Sequence, residues 1–584
     1  MHRAAFAFLL LAAGAAARSA PLTSAEVDRM MVAEWHRARV VPAGSADDTR
    51  FLRRAYLDIV GIIPTADAVR AFLADRAPDK RARAVDALLA MPRYADHWTD
   101  YWDDVLMGRQ MRAAVVDRAS FREWLHGELA RAVPWDRFVT DLLTATGRNS
   151  PGGAYARAAG FDAPADAARP EGIRVNGAVN WMLKYAQTPA DLSGAASRIF
   201  LGVQIQCAQC HDHKTEKWTQ QDFRRFTACF AEVRPVPVDR GKVRGVRRID
   251  VRDARRPLLA RRARPGAEYL TAEPAALDGT DFSASPNRRK ALAAWVTAPG
   301  NPWFARAYVN RMWAHFLGRG FADPADDFRE SNPPAMAAVL DRIARDFAEG
   351  GYDAKRLIRL ICGTRAYQLS SGPARAGDPE NHLWSRYRLK PMRPEALVDS
   401  LVQATNLRPV LERVAGANLD RLHFLLRRQF EFLFDVDEET DRPSYEGTIP
   451  QALLLLNGNL TNRATTAIPG TALAEVLAMD GGDAARVEEL YLRTLSRPPT
   501  PSESRRWTDW LAGFPSDAMP GTASGRAPTE RARGRPPARA RGAAQDPLAR
   551  VGTRLTARHS GPHARACADL FWALLNSSEF AFNH

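Results

Sequence analysis

The stretch CAQCHDHK contains the side chains of this chain that are best suited to chemistry. Cys207, Cys210 and His211 have the spacing Cys-x-x-Cys-His, in which two thiols attach a haem and the histidine is the proximal iron ligand. Zinc is an alternative, because His213 or Cys229 could complete a four-ligand set, although structural zinc sites usually place their second ligand pair about a dozen residues further on. A Cys207–Cys210 disulfide without cofactor is the third alternative. The spacing favours haem c.

A haem held by this motif has a second iron face, which a residue from elsewhere in the chain could fill. His315 in NRMWAHFLGRG and His97 in RYADHWTDYWDD are the candidate distal ligands, since imidazole is a usual axial ligand. Met312, one helical turn before His315, is a further candidate. A packed core role is the competing interpretation for each. His213 is too close to His211 to reach the opposite face, so a role in supporting His211 or in binding an alternative metal fits it better.

Helical periodicity dominates the sequence around these residues. The segment DDTRFLRRAYLDIVG places its apolar residues largely on one side and ends at Gly61, while Thr23 or Ser24 and Thr219 stand at predicted helix starts. The pattern changes over residues 234–269, where VPVDRGKVRGVRRIDVR has β-branched residues in partial alternation around a glycine-containing turn. The predicted fold class is therefore mainly α, with two helical domains and a small β insertion between them.

The N-terminal stretch MHRAAFAFLLLAAGAAARSA has the order of a secretory signal peptide: a basic residue, an apolar run and a small-residue cleavage site. We therefore expect a periplasmic or secreted protein after cleavage of residues 1–20. The apolar run is too short to span a bilayer, and no later stretch reaches the roughly 18 apolar residues of a membrane helix, so no membrane span is expected. Five cysteines in 584 residues exclude a small disulfide-rich domain.

The net charge of +15 is concentrated in two segments. Residues 234–264 contain twelve Lys and Arg against three acids, and residues 526–558 contain nine Arg against two. Neither segment has the interleaved aromatic residues of a base-stacking platform, which argues against specific nucleic-acid binding. The second segment is rich in Arg, Pro and Ala without apolar periodicity, and predicts a disordered insertion at about residues 515–562. The first segment would suit an extracellular anionic polysaccharide.

Carboxylate groups are weaker candidates for chemistry in this sequence. Asp103 with Asp104, and Asp323 with Asp326 and Asp327, could serve as acid and base. Neighbouring carboxylates are, however, more often helix caps or solvated faces. No Gly-x-Ser-x-Gly nucleophile motif occurs. No catalytic residue is therefore assigned.

Several long stretches resemble a known family. RIFLGVQIQCAQCHDHKTEKWTQQDFRRFTACFAEV, NPWFARAYVNRMWAHFLGRGFADPADDFRESNPP and TIPQALLLLNGNLTN are similar to the secreted paired-domain proteins of planctomycetes. In that family a planctomycete cytochrome-like domain precedes a planctomycete-specific domain. With the patterns above, the resemblance implies a cytochrome-like domain at residues 21–231, an Arg-rich β-containing insertion at 232–284 and a planctomycete-specific domain at 285–584. Many members carry an additional N-terminal cytochrome c module, which this sequence does not show.

The function predicted from these observations is that of an exported protein with one covalently attached c-type haem. It would act in electron transfer or redox chemistry with an unknown redox partner. The alternative is a non-haem surface or scaffold protein that binds anionic polysaccharide, or a structural metal-binding module. Because members of the family are often described as of unknown function, the resemblance implies no substrate.

Overall fold

A computed structural model gives the fold of the chain. It describes residues 20–584 except 109–114, 153–173, 187, 239–245, 255–267, 374–375, 416–464 and 516–560. Helices predominate in the described residues, which confirms the mainly α fold class. The predicted signal peptide and the predicted disordered insertion fall almost entirely outside the described residues, so both stay predictions.

The N-terminal part of the chain forms short helices that pack on one another. In chain order they are α1 (Ser24–Arg37), α2 (Asp48–Val60), α3 (Ala66–Ala74), α4 (Lys80–Ala90), α5 (Arg93–Met107), α6 (Arg118–Ala130), α7 (Trp135–Leu143), α8 (Val179–Lys184), α9 (Pro189–Ala196) and α10 (Gln220–Ala228). A π-helical turn at Ser197–Leu201 and a 3-10 turn at Gln206–Gln209 lie between α9 and α10. Thr23 and Thr219 form capping boxes at the starts of α1 and α10, as their positions in the sequence predict.

The C-terminal part is also helical. In chain order its helices are α11 (Arg288–Val296), α12 (Phe304–Leu317), α13 (Ala337–Glu349), α14 (Ala354–Gly363), α15 (Arg365–Gln368), α16 (Pro394–Ala404), α17 (Arg408–Ala415), α18 (Ala472–Leu477), α19 (Gly482–Leu495), α20 (Pro501–Ala512), α21 (Pro562–Leu575) and α22 (Ser578–Ala581). Among the described residues, no helix combines the length and the apolar character that crossing a membrane requires.

Helix α2 is largely buried. It ends at the predicted Gly61, whose φ of 65° lies in the left-handed region. A glycine is required there because a Cβ would lie 2.2 Å from Nδ1 of His97. The apolar side is buried as predicted, but Arg53, Arg54 and Asp58 are buried too. The helix is therefore covered on more sides than its amphipathic pattern indicates.

Two small sheets accompany the helices in the part of the chain that the structure describes. Strands β2 (Val233–Pro237) and β3 (Ile249–Asp253) pair antiparallel, which places a hairpin within the predicted β insertion. The short strand β1 (Gly147–Arg148) pairs with the other edge of β3, so the order is β1-β3-β2. A second sheet joins β4 (Lys390–Pro391) to β5 (Phe582–Asn583). Each sheet therefore ties together segments that are distant in the sequence.

The buried apolar residues form two clusters. The first contains residues of α1 to α15, and the second contains residues of α16 to α22 together with Leu57 and Ile63. Trp102 of α5 stacks on Tyr308 of α12, with ring centroids 5.9 Å apart, although α5 and α12 belong to different predicted domains. The division between the two cores therefore does not coincide with the insertion at residues 232–284. The predicted domain boundaries themselves stay a prediction.

Candidate functional site

The Cys-x-x-Cys-His motif lies on an exposed turn. Cys207 lies in the 3-10 turn at Gln206–Gln209, and Cys210 follows that turn directly. Both side chains are exposed and both thiols are free, so the two residues form no disulfide in this structure. The buried Ala208 holds the turn against the protein.

His211 has the hydrogen-bonding pattern of a metal-binding histidine. Its side chain is exposed, and its Nδ1 lies 2.7 Å from the backbone oxygen of Asp212. A carbonyl oxygen can only accept, so Nδ1 donates and the lone pair of the neutral imidazole is on Nε2. Metal-binding histidines almost always fix their second nitrogen in this way. Only the backbone oxygen of Asp212 is bonded to His211. The Asp212 carboxylate instead accepts a hydrogen bond from the backbone nitrogen of Gln220 at 2.8 Å.

His213 caps the backbone turn that follows the motif. Its Nδ1 accepts from the backbone nitrogens of Thr215 at 3.3 Å and Glu216 at 3.1 Å. A neutral His213 therefore carries its proton on Nε2 and has no lone pair left for a metal. Within the described ranges, no group of three or more His, Cys, Asp or Glu side chains is arranged to hold a metal ion.

The other three cysteines differ from the exposed pair. Burial raises the pKa of Cys229 to about 12 and raises the pKa of Cys362 well above its usual range. Cys567 is also fully buried. The sulfur of Cys229 lies 3.8 Å from the backbone oxygen of Ala275, inside the core and not at the exposed turn. Since thiol chemistry needs an accessible thiolate, Cys207 and Cys210 are the cysteines available for it.

A loop from the C-terminal half, residues 321–335, packs against the segments on both sides of the motif. Before the motif, the backbone nitrogen of Phe328 donates to the backbone oxygen of Gly202 at 2.8 Å. Asp326 also pairs with Arg198, with 3.4 Å between nitrogen and oxygen.

After the motif, the carboxylate of Glu216 contacts the same loop. It accepts from the backbone nitrogen of Glu330 and from the hydroxyl of Ser331, both at 3.2 Å. The motif is therefore held between its own helices and a loop from the other half of the chain.

The carboxylates that we considered as acid and base each have an arginine partner. The ion pairs are Asp103 with Arg118 and Arg122, Asp104 with Arg393, Asp323 with Arg319, Asp326 with Arg311, and Asp327 with Arg329. The pairs of Asp103, Asp104 and Asp326 join separate segments, whereas those of Asp323 and Asp327 are local, so the structure gives these carboxylates a packing role.

His97 and His315 contact each other in a buried aromatic region. Their ring centroids are 5.9 Å apart, and the rings of Trp98 and Tyr101 pack against His315 at 4.9 and 5.1 Å. Nε2 of His315 donates to the backbone oxygen of Asp58 at 3.0 Å. Burial lowers the pKa of His97 to about 3 and lowers the pKa of His315 well below its usual range. Both imidazoles are therefore neutral at pH 7.

The structure does not bring these two histidines to the Cys-x-x-Cys-His motif. The 3-10 turn packs against α9 and α10, whereas the two histidine rings pack against residues of α5 and α12. None of their hydrogen bonds or ring contacts among the described residues involves the motif. Met312 is fully buried within the first apolar cluster. The motif and the predicted distal ligands therefore form separate groups.

Asp58 is the polar centre beside the two histidines. Its Oδ1 accepts from Nζ of Lys390 at 2.7 Å and from the side-chain amide of Asn583 at 2.8 Å. Its Oδ2 accepts from the hydroxyls of Tyr367 at 2.9 Å and Tyr387 at 3.1 Å. The sequence motifs do not single out this residue. The one signal in the sequence is a charged side chain in an otherwise apolar helix segment. A charge that is buried in such a segment must be hydrogen-bonded to other polar groups.

Several described arginines around the β insertion are paired with acids. Asp250 accepts from Arg148 and from Arg252, each at 3.0 Å. Asp253 accepts from Arg289 at 2.6 Å. A cavity of about 580 Å³ beside the sheet is lined by the Arg148, Asp250 and Arg252 side chains among others. The Asp250 side chain in the cavity wall therefore neutralises part of the positive charge of the arginines there.

Comparison with known proteins divides the chain into two regions. Residues 26–235 match PSCyt2, described as "Protein of unknown function (DUF1549)", and residues 288–420 match PSD1, described as "Protein of unknown function (DUF1553)". No curated protein and no solved structure matches the chain. The first match contains the Cys-x-x-Cys-His motif, and the second contains the loop that packs against it.

Proposed function

Because this chain belongs to the planctomycete-type family that pairs a PSCyt2 domain with a PSD1 domain, we propose that it is a redox protein with one covalently attached c-type haem. Cys207 and Cys210 would form the two thioether bonds, and Nε2 of His211 would bind the iron. A haem so bound supplies one-electron redox chemistry. Neither family description names a function.

The hydrogen bond between His211 and the backbone oxygen of Asp212 carries this assignment. It leaves the lone pair on Nε2 of an exposed imidazole, in a residue that directly follows two closely spaced, exposed cysteines. Two thiols and one imidazole are the complete protein contribution to a c-type attachment. A structural zinc site needs four ligands. The lone pair of His213 is used by backbone donors and Cys229 is buried, which favours haem over zinc.

We propose that the second iron face is open to solvent or to a small ligand. His97 and His315 are the alternative ligands, but both rings are enclosed by aromatic side chains and Nε2 of His315 is bonded to Asp58. Using either histidine would require the buried region to reorganise. An open face suits small-molecule redox chemistry as well as electron transfer.

We propose that the protein acts outside the cytoplasm. Residues 1–20 have the order of a signal peptide, and an exported chain can meet a redox partner in the periplasm or beyond it. An anionic polysaccharide is the alternative partner, supported by the arginines that line the cavity beside the sheet. The acids that pair with those arginines make this alternative the weaker one.

Haem attachment is tested by expressing the chain with c-type maturation machinery. We expect one haem per chain in a pyridine haemochrome assay, and haem staining that survives a denaturing gel. Cys207→Ala with Cys210→Ala should abolish the stain. Gln206→Ala with Gln209→Ala is the matched control, because it changes two exposed residues of the same turn with the same spacing. A colourless wild-type protein, or stain retained without both thiols, would contradict the assignment.

A further inference from the structure

A second cavity, separate from the Cys-x-x-Cys-His motif, lies where three parts of the chain meet. Its volume is about 520 Å³, within the range of small-molecule sites. Its walls come from the connection between α2 and α3, from α16 and α17 with their connection, and from α18 and α19. The cavity therefore depends on both matched regions and on the C-terminal helices. Neither family description assigns it a role.

Most of the charged groups in the walls form ion pairs with one another, whereas the exposed Asp67 and Arg408 pair with residues outside the cavity. Asp399, with 3% of its side chain exposed, pairs with Arg93. Glu489, with 6% of its side chain exposed, accepts from Nε of Arg493 at 2.6 Å. Glu475 accepts from the same guanidinium at 2.9 Å. The cavity is therefore rich in strong donors and acceptors, yet these pairs neutralise one another.

Amide and apolar groups complete the walls. Asn406 has a φ of 49°, and its side-chain nitrogen donates to Glu475 at 2.7 Å. Non-glycine residues in the left-handed region are often found at ligand sites. Ile62, Val402 and Leu411 add apolar surface to the same cavity. The lining thus combines polar edges with an apolar area.

We propose that this cavity binds a neutral, hydroxyl-rich molecule of monosaccharide size. A hydroxyl can donate to a carboxylate and accept from a guanidinium at once, so it can bind beside an ion pair without breaking it. A charged ligand would compete with the wall partners, and removing the arginine partner of the buried Asp399 or Glu489 carboxylate is unfavourable. The C–H face of a sugar ring would pack on Val402 and its apolar neighbours. This activity is independent of the haem and goes beyond the redox function.

Binding is tested with the full-length chain by calorimetric titration and ligand-observed NMR. The probes are glucose, galactose and N-acetylglucosamine, with glucuronate and glucosamine as charged counterparts. We expect at least one neutral sugar to bind with a Kd on the order of 1 mM, the affinity that about a dozen heavy atoms can supply. Its charged counterparts should bind at least tenfold more weakly. Absence of binding by all three neutral sugars, or tighter binding of a charged one, overturns the proposal.

Two substitutions locate the site. Val402→Trp fills the cavity and should weaken sugar binding at least tenfold, whereas Val236→Trp on the exposed strand β2 is the matched control and should not. Asn406→Gly keeps a left-handed backbone but removes the amide, and should weaken binding several-fold. Thermal unfolding shows whether each variant folds. If binding in both folded cavity variants equals that of wild type, the sugar binds elsewhere and the proposal is wrong.

Discussion

At the scale of single residues, two buried neutral histidines make stability depend on pH. Burial lowers the pKa of His97 to about 3 and of His315 well below its usual range. An unfolded chain protonates its histidines near pH ~6.5, so below that pH the unfolded state binds protons that the folded state does not. The stabilisation is therefore complete above about pH 6.5 and is lost progressively as the pH falls toward 3.

We expect His97→Asn to reduce this acid dependence. The free energy of unfolding of the wild type should fall more steeply with decreasing pH than that of the variant, by up to about 1.4 kcal/mol per pH unit between about pH 6 and 4. Urea unfolding at a series of pH values measures both slopes. His36→Asn changes an exposed histidine in the same way and is the matched control. Equal slopes for His97→Asn and wild type would contradict the buried, neutral state.

We expect Asp58→Asn to be among the most destabilising single changes in the chain. Its carboxylate accepts from Lys390 and from other buried donors, and removing one partner of a buried pair costs about 3 kcal/mol or more. Asp48→Asn is the matched control on the same helix. The Asp48 side chain is 31% exposed and pairs with both Lys80 and Arg81, so its loss should cost less than that of Asp58, about 1 kcal/mol. Urea unfolding compares the two, and similar losses would contradict a special role for Asp58.

The spacing of residues in the sequence predicts only some of the residues that form the candidate site and the buried polar region. The Cys-x-x-Cys-His pattern is local, so the sequence alone predicts that Cys207, Cys210 and His211 lie together, and the structure places them on one turn. The proton position of His211 depends on a backbone oxygen that no pattern identifies. The contact between His97 and His315 joins helices about 200 residues apart, and such long-range packing leaves no periodic signal.

At the scale of elements, Gly202 connects the π-helical turn to the segment that leads into the motif. Its φ is 67°, and a Cβ on it would lie 2.5 Å from the ring of Phe328. The nitrogen of Phe328 also donates to the oxygen of Gly202. The approach of these two backbones therefore requires a residue without a side chain.

We expect Gly202→Ala to destabilise the protein more than Gly279→Ala. Both glycines have positive φ, 67° and 88°, so both variants lose about 1–2 kcal/mol from left-handed backbone strain. A Cβ at Gly279 meets nothing within 4 Å, whereas at Gly202 it meets Phe328 and adds roughly 1–3 kcal/mol of overpacking. Thermal or urea unfolding measures the difference. Equal losses of unfolding free energy in the two variants would show that the loop at residues 321–335 rearranges around the added Cβ without destabilising the protein.

Sequence patterns predict the β insertion better than they predict its sheet. Partial alternation of β-branched residues predicts strands in this region, and β2 and β3 form there. Strand β1 consists only of Gly147–Arg148, which is too short for any periodicity, and the sequence therefore does not predict it. It pairs with β3 because tertiary packing places it there.

At the scale of the whole molecule, helix α2 of the first matched region packs against the C-terminal helices that follow the second. Arg53 of α2 donates to the backbone oxygens of Thr494 at 2.9 Å and Phe580 at 2.7 Å. Asp58 of the same helix accepts from Asn583 near the end of the described chain. Composition and periodicity show where the sequence changes character, at residues 232–284, but not which helices share a core. The extent of this packing is therefore visible only in the structure.

We expect removal of residues 580–584 to destabilise the N-terminal half of the protein. The deletion takes away the Phe580 oxygen that Arg53 uses and the Asn583 amide that Asp58 uses, and both partners are buried. Each buried polar group left without its partner costs about 1–3 kcal/mol, and β5 is lost from its pairing with β4 as well. Limited proteolysis with peptide mapping should find new cleavage in α2, more than 500 residues from the deletion. Deletion of His584 alone is the control and should leave α2 protected. Cleavage confined to α21 and α22 would show that the halves fold independently, as the sequence boundary alone implies.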